Sequence, residues 1–562
     1  MRWTLGGIAI ALMGCSKEHE ETLGEDRAES AAVQDPALQV QSPAPASWLP
    51  VGDVEVTGIA QRVTDVQLND SALPVDDARF NQMTALDRGI NLLAVTALTP
   101  DGVTLRDHRG VLAGDFAEPD QPVVDGVIAR INQSGLNDVT DFIAGFVTPE
   151  LIGEQIGADT PIAAGDILSI FSYEASLTGV TFGEPDIIVQ PLQDVLQVQA
   201  SLPMLDVQMS VYIDVYFTDF TVDASLTADR AVISTTMRPG VGEDTLTMDL
   251  EDTAIELLGF FLEISAVPDW LEGIDLLQSE IQSAVEDELI NQFNTLVPEI
   301  LDETLDALDF SFETELLGKT LSVQAGFAAV AVDPSGLEIG VDVSVIVPGT
   351  GDKTYAGYLA AEQPAPALGR DADMSVMLAD DFLNRVLFEI WRGGMIDLTL
   401  STEDGSLDPE LLSDFPVDVA AINVDARLPP VVVDAGDKLM LQLAEWTVTL
   451  DSPGSSIGNK LVADIAGEAE LFVFVDEGAL GVELGELSVD LMVLESDWSL
   501  SEENLDTLID TFLTPSTLMG LLEGLTFDLP ELYGVRLTDA VVARADSDLH
   551  TAVGINLEVL SE

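Results

Sequence analysis

Few residues in this sequence have the types and spacing that chemistry needs. Residues 454–458, GSSIG, match the G-x-S-x-G pattern around a nucleophilic serine. That pattern requires a strand before it and a helix after it, with a histidine and an acid elsewhere. Here Pro-Gly and Gly-Asn flank the serine and predict a hairpin turn, and the chain has three histidines, His19, His108 and His550. We therefore expect no catalytic residues and no enzyme activity.

Metal-binding patterns are equally scarce. Adjacent acids such as Asp76-Asp77 and Asp380-Asp381 lack the spacing of a calcium-binding EF-hand loop. The sequence also has neither a histidine cluster nor a G-x-x-x-x-G-K-[ST] phosphate loop. With 100 acidic residues in the chain, adjacent pairs arise by chance and belong to a hydrated surface. We expect no metal ion and no cofactor.

The charge balance narrows the choice of partners. The chain has 100 Asp and Glu against 21 Lys and Arg, for a formal net charge of −79. Such a charge repels nucleic acid, so we expect no nucleic-acid partner. Because 47% of the residues are hydrophobic, we expect folded domains with the acidic residues on their surfaces. Their even spread is typical of proteins from a salty environment, where counter-ions screen self-repulsion.

The single cysteine lies close to the start of the chain. Cys15 follows one arginine and an apolar run that is too short to span a bilayer, which is typical of a signal peptide. The segment LMGC (12–15) resembles the lipobox of bacterial lipoproteins. That resemblance implies a signal peptide over 1–14 and a lipidated Cys15 that anchors the protein to a membrane. Ser16 follows it rather than aspartate, which favours the outer membrane.

Composition then divides the chain before residue 120. Residues 15–49 are polar and rich in Pro and Ala, and we expect a disordered tether. Residues 50–118 consist of short alternating segments separated by Asn-Asp and Asp-Gly turns, which predict strands. They resemble the small bacterial Ig-like sandwiches that act as spacers on surface proteins, which implies an all-β domain.

Two larger units of similar order follow, over 120–350 and 371–562, with a Gly- and Pro-rich linker over 351–370. In the first unit we expect a helix over 123–147, alternating strands such as 205–217, and an amphipathic helix over 276–308. The second unit repeats this order, with helices predicted over 379–394 and from residue 501 onward. The repetition indicates an internal duplication.

A long helix after long strands needs a curved sheet to cover its apolar stripe. The segments that carry a family resemblance are 374–400, ELSVDLMVL (486–494), LPELYGVRLTDAVV (529–542) and GINLEVL (554–560). They resemble the tubular lipid-binding family of bactericidal/permeability-increasing protein, lipopolysaccharide-binding protein and lipid transfer proteins. The resemblance implies an α+β fold: two tandem units, each with a long helix wrapped by a highly curved antiparallel sheet, joined as a boomerang.

The resemblance implies lipid binding between each helix and its sheet. This chain lacks the disulfide and the basic tip of the family's antibacterial members, so we expect a neutral or zwitterionic lipid such as a phospholipid. The candidate lipid-binding residues are Val211, Ile213, Val215, Leu289, Phe293, Leu296, Val297 and Ile300 in the first unit, and Phe382, Val386, Ile390, Leu505, Leu508, Ile509, Phe512 and Leu513 in the second.

An alternative remains open at this point. In a non-enzymatic surface scaffold or adhesin, both tubes would be filled by their own side chains, and the acidic faces or the Ig-like domain would bind a partner. A stripe on a helix has the same pattern in a filled core and in an open slot. The small residues Ala325, Ala329 and Ala331, expected to face the helix, favour the slot and hence binding or transfer of lipid.

Overall fold

The protein is mostly β-structure. Its structure is a computed structural model that describes residues 36–149, 161–167, 171–215, 218–242, 245–265, 274–306, 310–316, 319–349, 353–361, 366–406, 417–436, 438–453, 455, 459–476, 479–497, 527–528, 535–544 and 549–559. Cys15, most of the GSSIG segment and the helix predicted from residue 501 lie outside these residues.

The N-terminal part is a sandwich of two sheets around one buried core. Alternating apolar residues such as Val56, Phe80 and Val95 face that core. One sheet has the order β1 (Ala37–Ser42), β3 (Gly52–Gln61), β7 (Arg79–Leu86) and β6 (Val75–Asp76). The other has the order β2 (Ser47–Leu49), β9 (Thr104–Ala113), β8 (Gly89–Leu98), β4 (Thr64–Leu68) and β5 (Ser71–Ala72).

The sandwich begins earlier than the sequence predicts. β1 pairs with β3, and β2 runs parallel to β9, although both strands lie in the segment expected to be tether. Val40 is buried in the sandwich core. The expectation of a tether extending to residue 49 is wrong, because these short strands are stabilised by pairing with distant strands, which local composition does not reveal.

The first curled sheet curves into a half-barrel. Its long antiparallel strands β15 (Leu196–Val215) and β16 (Thr218–Val241) pair from Leu196 opposite Met237 to Val215 opposite Thr218. Its order is β12 (Pro161–Ile167), β13 (Phe171–Thr181), β15 (Leu196–Val215), β16 (Thr218–Val241) and β17 (Leu246–Leu258), with β14 (Asp186–Pro191) on β15 and β18 (Phe261–Ile264) on β16.

A central sheet joins the two halves of the chain, which the sequence does not predict. β11 pairs with β21 on one side and with β23 on the other, so strands from both expected units share one sheet. Its order is β19 (Phe312–Leu316), β20 (Lys319–Asp333), β21 (Gly336–Ile346), β11 (Val123–Asn132), β23 (Met374–Ala379), β32 (His550–Val559) and β31 (Val535–Arg544).

The second curled sheet is the counterpart of the first. Its order is β24 (Leu398–Ser401), β25 (Ala421–Ala426), β27 (Leu439–Asp451), β28 (Lys460–Asp476), β29 (Ala479–Ser496) and β30 (Phe527–Asp528), with β26 (Val431–Asp434) on β27. A two-stranded ribbon of β10 (Asp115–Ala117) and β22 (Tyr358–Ala360) completes the described strands.

Three helices lie in the described part of the chain: α1 (Gln133–Phe146), α2 (Ile274–Asp306) and α3 (Asp380–Arg392). α2 and α3 confirm the predicted helices, and α2 continues past Pro298. The predicted helix over 123–147 is wrong in its first half, where β11 lies. β11 is buried on both faces over most of its length, so it lacks the two-residue alternation that marks a half-exposed strand.

The sandwich packs against the second curled sheet rather than standing apart as a spacer. Leu112 of β9 shares a buried cluster with Leu428 and Val433. The Ile90 backbone N–H donates to Gln442 Oε1 at 2.9 Å, and the Gly110 N–H donates to Glu445 Oε1 at 2.6 Å. These contacts fix the inner strands β8 and β9 of the sandwich on the second curled sheet.

Candidate functional site

The apolar interior around α2 consists of two buried clusters that meet beneath the helix. One extends from the central sheet and includes Val198 and Met237. The other fills the first curled sheet and includes Val211, Leu277 and Ile281. Phe293 of α2 is half-buried and packs against both clusters. A cavity lies at this boundary, where neither set of side chains closes the space completely.

Burial changes along α2, and this change defines a closed half and an open half of the helix and of the sheet around it. In the closed half, Leu277, Ile281 and Val285 are at most 1% exposed. In the open half, Leu289 and Leu296 remain buried, but Phe293 and Val297 are only half-buried. The stripe that the sequence shows as uniform is therefore tightly packed at its beginning and loosely packed farther along.

Some of the predicted residues of the first slot lie in the open half, and others lie in the closed half. Leu289, Phe293, Leu296 and Val297 all line the cavity. Val211 and Ile213 are completely buried in the closed half. They occupy ordinary core positions there, because other buried hydrophobic residues surround them. The side chains of Val215 and Ile300 lie outside the described residues.

The sheet and α1 supply cavity walls that the sequence analysis missed. The floor comes from alternate residues of β15, namely Val198, Ala200 and Leu202, together with Ile233 and Met237 of β16. The alternation LQVQASL was visible in the sequence and could have indicated this face. The remaining walls come from Thr140, Val147, Pro185, Ile187, Val189 and Gln292.

The cavity has a volume of about 70 Å³. This is room for about five to seven water-sized groups if each needs about 10–15 Å³. Its described lining is apolar except for Thr140 and Gln292. Water in such a space would find few hydrogen-bonding partners, so the cavity suits hydrocarbon better than solvent.

The polar groups at the cavity belong to its margin. Gln292 Nε2 donates to Glu288 Oε1 at 2.6 Å on the same helix, and Thr140 Oγ1 donates to the Asn137 carbonyl at 2.9 Å. Thr253 Oγ1 of β17 donates to Asn294 Oδ1 at 2.7 Å and ties the open half of α2 to the sheet. Of these three bonds, the first two lie within one helix each, and the third joins α2 to β17.

The predicted second slot takes a different form in the described residues. Phe382, Val386 and Ile390 of α3 are at most 2% exposed and belong to the packed core around the central sheet. They have the burial of ordinary core residues. Their five expected partners, Leu505, Leu508, Ile509, Phe512 and Leu513, lie outside the described residues.

Two of the small residues cited for a slot face away from the helix. A β-bulge in β20 between Phe327 and Ala329 shifts the alternation of faces. Ala329 and Ala331 are therefore exposed, whereas Ala325 packs partly against the core. The expectation that all three leave room beside the helix is wrong for these two, because one extra residue reverses which side chains point inward.

Titratable groups cluster where the sandwich meets the body, away from the cavity. His108 Nε2 lies 3.3 Å from Asp464 Oδ2, and Arg88 Nη2 lies 3.3 Å from Asp381 Oδ1. Burial raises the pKa of Asp381 to about 6, although an N–H from Ala361 and the charge of Arg88 oppose the shift. These polar groups face one another across the contact between the sandwich and the rest of the chain.

Two further features bear on chemistry. Within the described ranges, no group of three His, Cys, Asp or Glu side chains is placed to hold a metal ion. Among the described helices, none combines the length and apolar character that crossing a bilayer requires.

Comparisons with known proteins give distant structural likenesses. No protein-family model and no curated protein matches the chain. The crystal structure of lipopolysaccharide binding protein is similar over 79% of this chain and 100% of that one, with 14% identity and a TM-score of 0.43. The structure of P47 of Clostridium botulinum E1 covers 77% of this chain and 100% of its own, with 10% identity and a TM-score of 0.27. Neither likeness is close enough to assign a family or a function.

Proposed function

We propose that the protein binds lipid and that the open half of the first tube receives an acyl chain. The observation that carries this proposal is the apolar cavity between α2 and β15–β16, lined by Phe293, Val297, Ala200 and Met237. Its lining offers hydrocarbon contact and few hydrogen-bonding groups. Such a space recognises length and apolar surface rather than a polar pattern.

The size of the cavity sets the expected strength of binding. Burying about five to seven methylene groups at about 0.8 kcal/mol each contributes about 4–6 kcal/mol before the cost of ordering the ligand. A longer chain gains more only if α2 moves away from the sheet. The bond between Thr253 and Asn294 would have to break in such a movement, since it ties the open half to β17.

The setting of this activity is also part of the proposal. The lipobox-like segment supports a lipid anchor on Cys15 and attachment to a bacterial outer membrane, and we propose a role that involves no catalysis. A second slot around residues 501–525, and hence the paired tubes of the tubular lipid-binding family, are supported by the sequence pattern. Mass analysis of the mature wild-type protein checks the anchor: diacylglycerol and acyl additions on Cys15 are expected, and an unmodified N-terminus would contradict it.

One observation favours a second candidate function. The closed half and the core around α3 are filled by their own side chains, as a structural scaffold or adhesin requires. In that case the cavity is a packing defect and stays empty. The two functions differ in what the protein carries after contact with a membrane.

The test uses the full chain with Cys15→Ser, which prevents acylation and permits purification without detergent. After incubation with phosphatidylcholine vesicles, native mass spectrometry should show a lipid adduct. Ala200→Leu extends a side chain into the cavity and should reduce the adduct, whereas Ala331→Leu adds the same atoms at an exposed position and should not. Absence of any adduct, or equal adducts in both variants, would contradict binding in this cavity.

A further inference from the structure

The charged residues near the mouth of the cavity are acidic, and their charge affects which lipid head groups can bind there. Resting on the proposed lipid binding, we infer that the cavity selects single-chain amphiphiles whose head group has no net negative charge. Two independent observations lead to this class of ligand: the dimensions of the space and the distribution of charge around it.

The dimensions favour one chain. Among the lining residues, Val189 and Met237 belong to the buried cluster of the central sheet, and Leu289 belongs to the cluster that also fills the closed half. Buried core therefore borders the cavity on both of these sides. With room for about five to seven water-sized groups, the cavity accepts the end of one acyl chain. A second chain would need a separation of α2 from the sheet over much of its open half.

The partly exposed members of the lining mark the mouth. Val147, Pro185, Ile187, Gln292, Phe293 and Val297 are half-buried, whereas the floor residues on β15 and β16 are buried. A head group attached to an inserted chain therefore lies between the start of β14 and the middle of α2. The polar partners there are the Gln292 amide and the Glu288 carboxylate that accepts its hydrogen bond.

The charges near this mouth are acidic. Glu184 and Asp186 flank Pro185 and are both exposed, and Glu288 lies on α2. From residue 131 to residue 318 the sequence has 36 acids and two basic residues, Arg230 and Arg238. Both arginines are exposed, and each adjoins an inward-facing residue of β16. They therefore lie on the outer face of the sheet, opposite the cavity.

The electrostatic field at the mouth follows from this distribution of charged residues. An anionic head group would approach the carboxylates of Glu184, Asp186 and Glu288, whereas the two arginines of residues 131–318 lie on the opposite face of the sheet and Arg238 is within 3.4 Å of Glu251. A zwitterionic or uncharged head group avoids this repulsion. Salt screens interactions between exposed charges over about 10 Å at 0.1 M, so the discrimination should weaken as ionic strength rises.

The test compares three lipids with the full chain carrying Cys15→Ser. Palmitoyl lysophosphatidylcholine and palmitoyl lysophosphatidylglycerol differ in head-group charge, and dipalmitoyl phosphatidylcholine adds a second chain. At low salt we expect lysophosphatidylcholine to bind at least about tenfold more tightly than lysophosphatidylglycerol. The ratio should shrink in 0.5 M salt. The two-chain lipid should bind no more tightly than lysophosphatidylcholine.

A charge substitution at the mouth provides the matched control. Gln292→Lys should improve lysophosphatidylglycerol binding by up to about fivefold, as one exposed ion pair can. Gln282→Lys makes the same change in the closed half, where Gln282 also donates to a glutamate on its own helix, and should have little effect. Equal affinity for both lysolipids at low salt would overturn the charge rule, and tighter binding of the two-chain lipid would overturn the single-chain rule. Failure of all three lipids to bind would instead remove the proposed function itself.

Discussion

The two halves of α2 have the same apolar stripe but different surroundings. In the closed half, Ile281 and Val285 are buried among the inward side chains of the first curled sheet. In the open half, Phe293 and Val297 face a cavity at the boundary of two cores. The helix pattern is continuous across both halves, so the difference arises from the strands opposite it and from α1.

The difference between the halves depends on how well the inward side chains of the sheet meet α2. A curled sheet covers a helix completely only where its inward side chains reach the helix. Next to the central sheet, the inward side chains belong to two cores that are built around different elements. The gap between them is a consequence of joining these cores, and it is the space in which we propose that an acyl chain binds.

The largest expected difference between the halves follows from placing a charge in each. Ile281→Asp buries a carboxylate in a filled core and should cost more than about 4 kcal/mol of unfolding free energy. Phe293→Asp places the same group beside a cavity that opens to solvent, and should cost about 1–2 kcal/mol. Urea denaturation followed by circular dichroism measures both. Equal losses would mean that the two halves are packed alike.

A smaller difference is expected when side chains are enlarged. Ala224 lies opposite Met209 in the closed half, and Ala224→Leu should overpack it at a cost of about 1–3 kcal/mol. Ala200→Leu extends into the cavity and should stabilise the protein by about 0.5–2 kcal/mol, as cavity-filling substitutions often do. Thermal unfolding of the two variants compares them directly, and destabilisation by Ala200→Leu would show that the cavity lacks usable space.

The smallest expected effect concerns a tyrosine in the closed half. Burial, followed by the charge of Glu280, raises the pKa of Tyr173 above its ordinary value of 10. The folded state therefore holds the phenolic proton more firmly than the unfolded state. As pH rises above 10, wild type should lose stability relative to Tyr173→Phe. Denaturation of both proteins between pH 9 and 11 tests this, and a pH-independent difference would indicate that water reaches the tyrosine.

The sequence was sufficient to predict elements with a clear period. The alternation in β15 correctly assigned Leu205, Val207 and Met209 to the buried face, and the stripe of α2 gave its position to within two residues at each end. These patterns are local consequences of a two-residue or 3.6-residue repeat. They identify the buried face of an element but not what covers it.

Other features depended on contacts between distant segments. β11 was mistaken for helix because burial on both faces removes its period, and the exposure of Ala329 depends on a bulge. Four predicted residues of α2 do line the cavity. Val211 and Ile213 do not, because the part of β15 that carries them faces the buried core of the closed half. The gap between two cores is a property of packing that no single segment encodes.

The most direct test of the account is to locate a bound acyl chain. A lysophosphatidylcholine with a diazirine near the end of its chain would be photolysed with the full Cys15→Ser protein, and the labelled peptides sequenced by mass spectrometry. We expect labels on cavity residues such as Leu289, Phe293, Val198 and Met237, and we expect these labels to be lost in Ala200→Leu. Labels concentrated around Ile281 and Val211, or spread over the exposed surface, would contradict it.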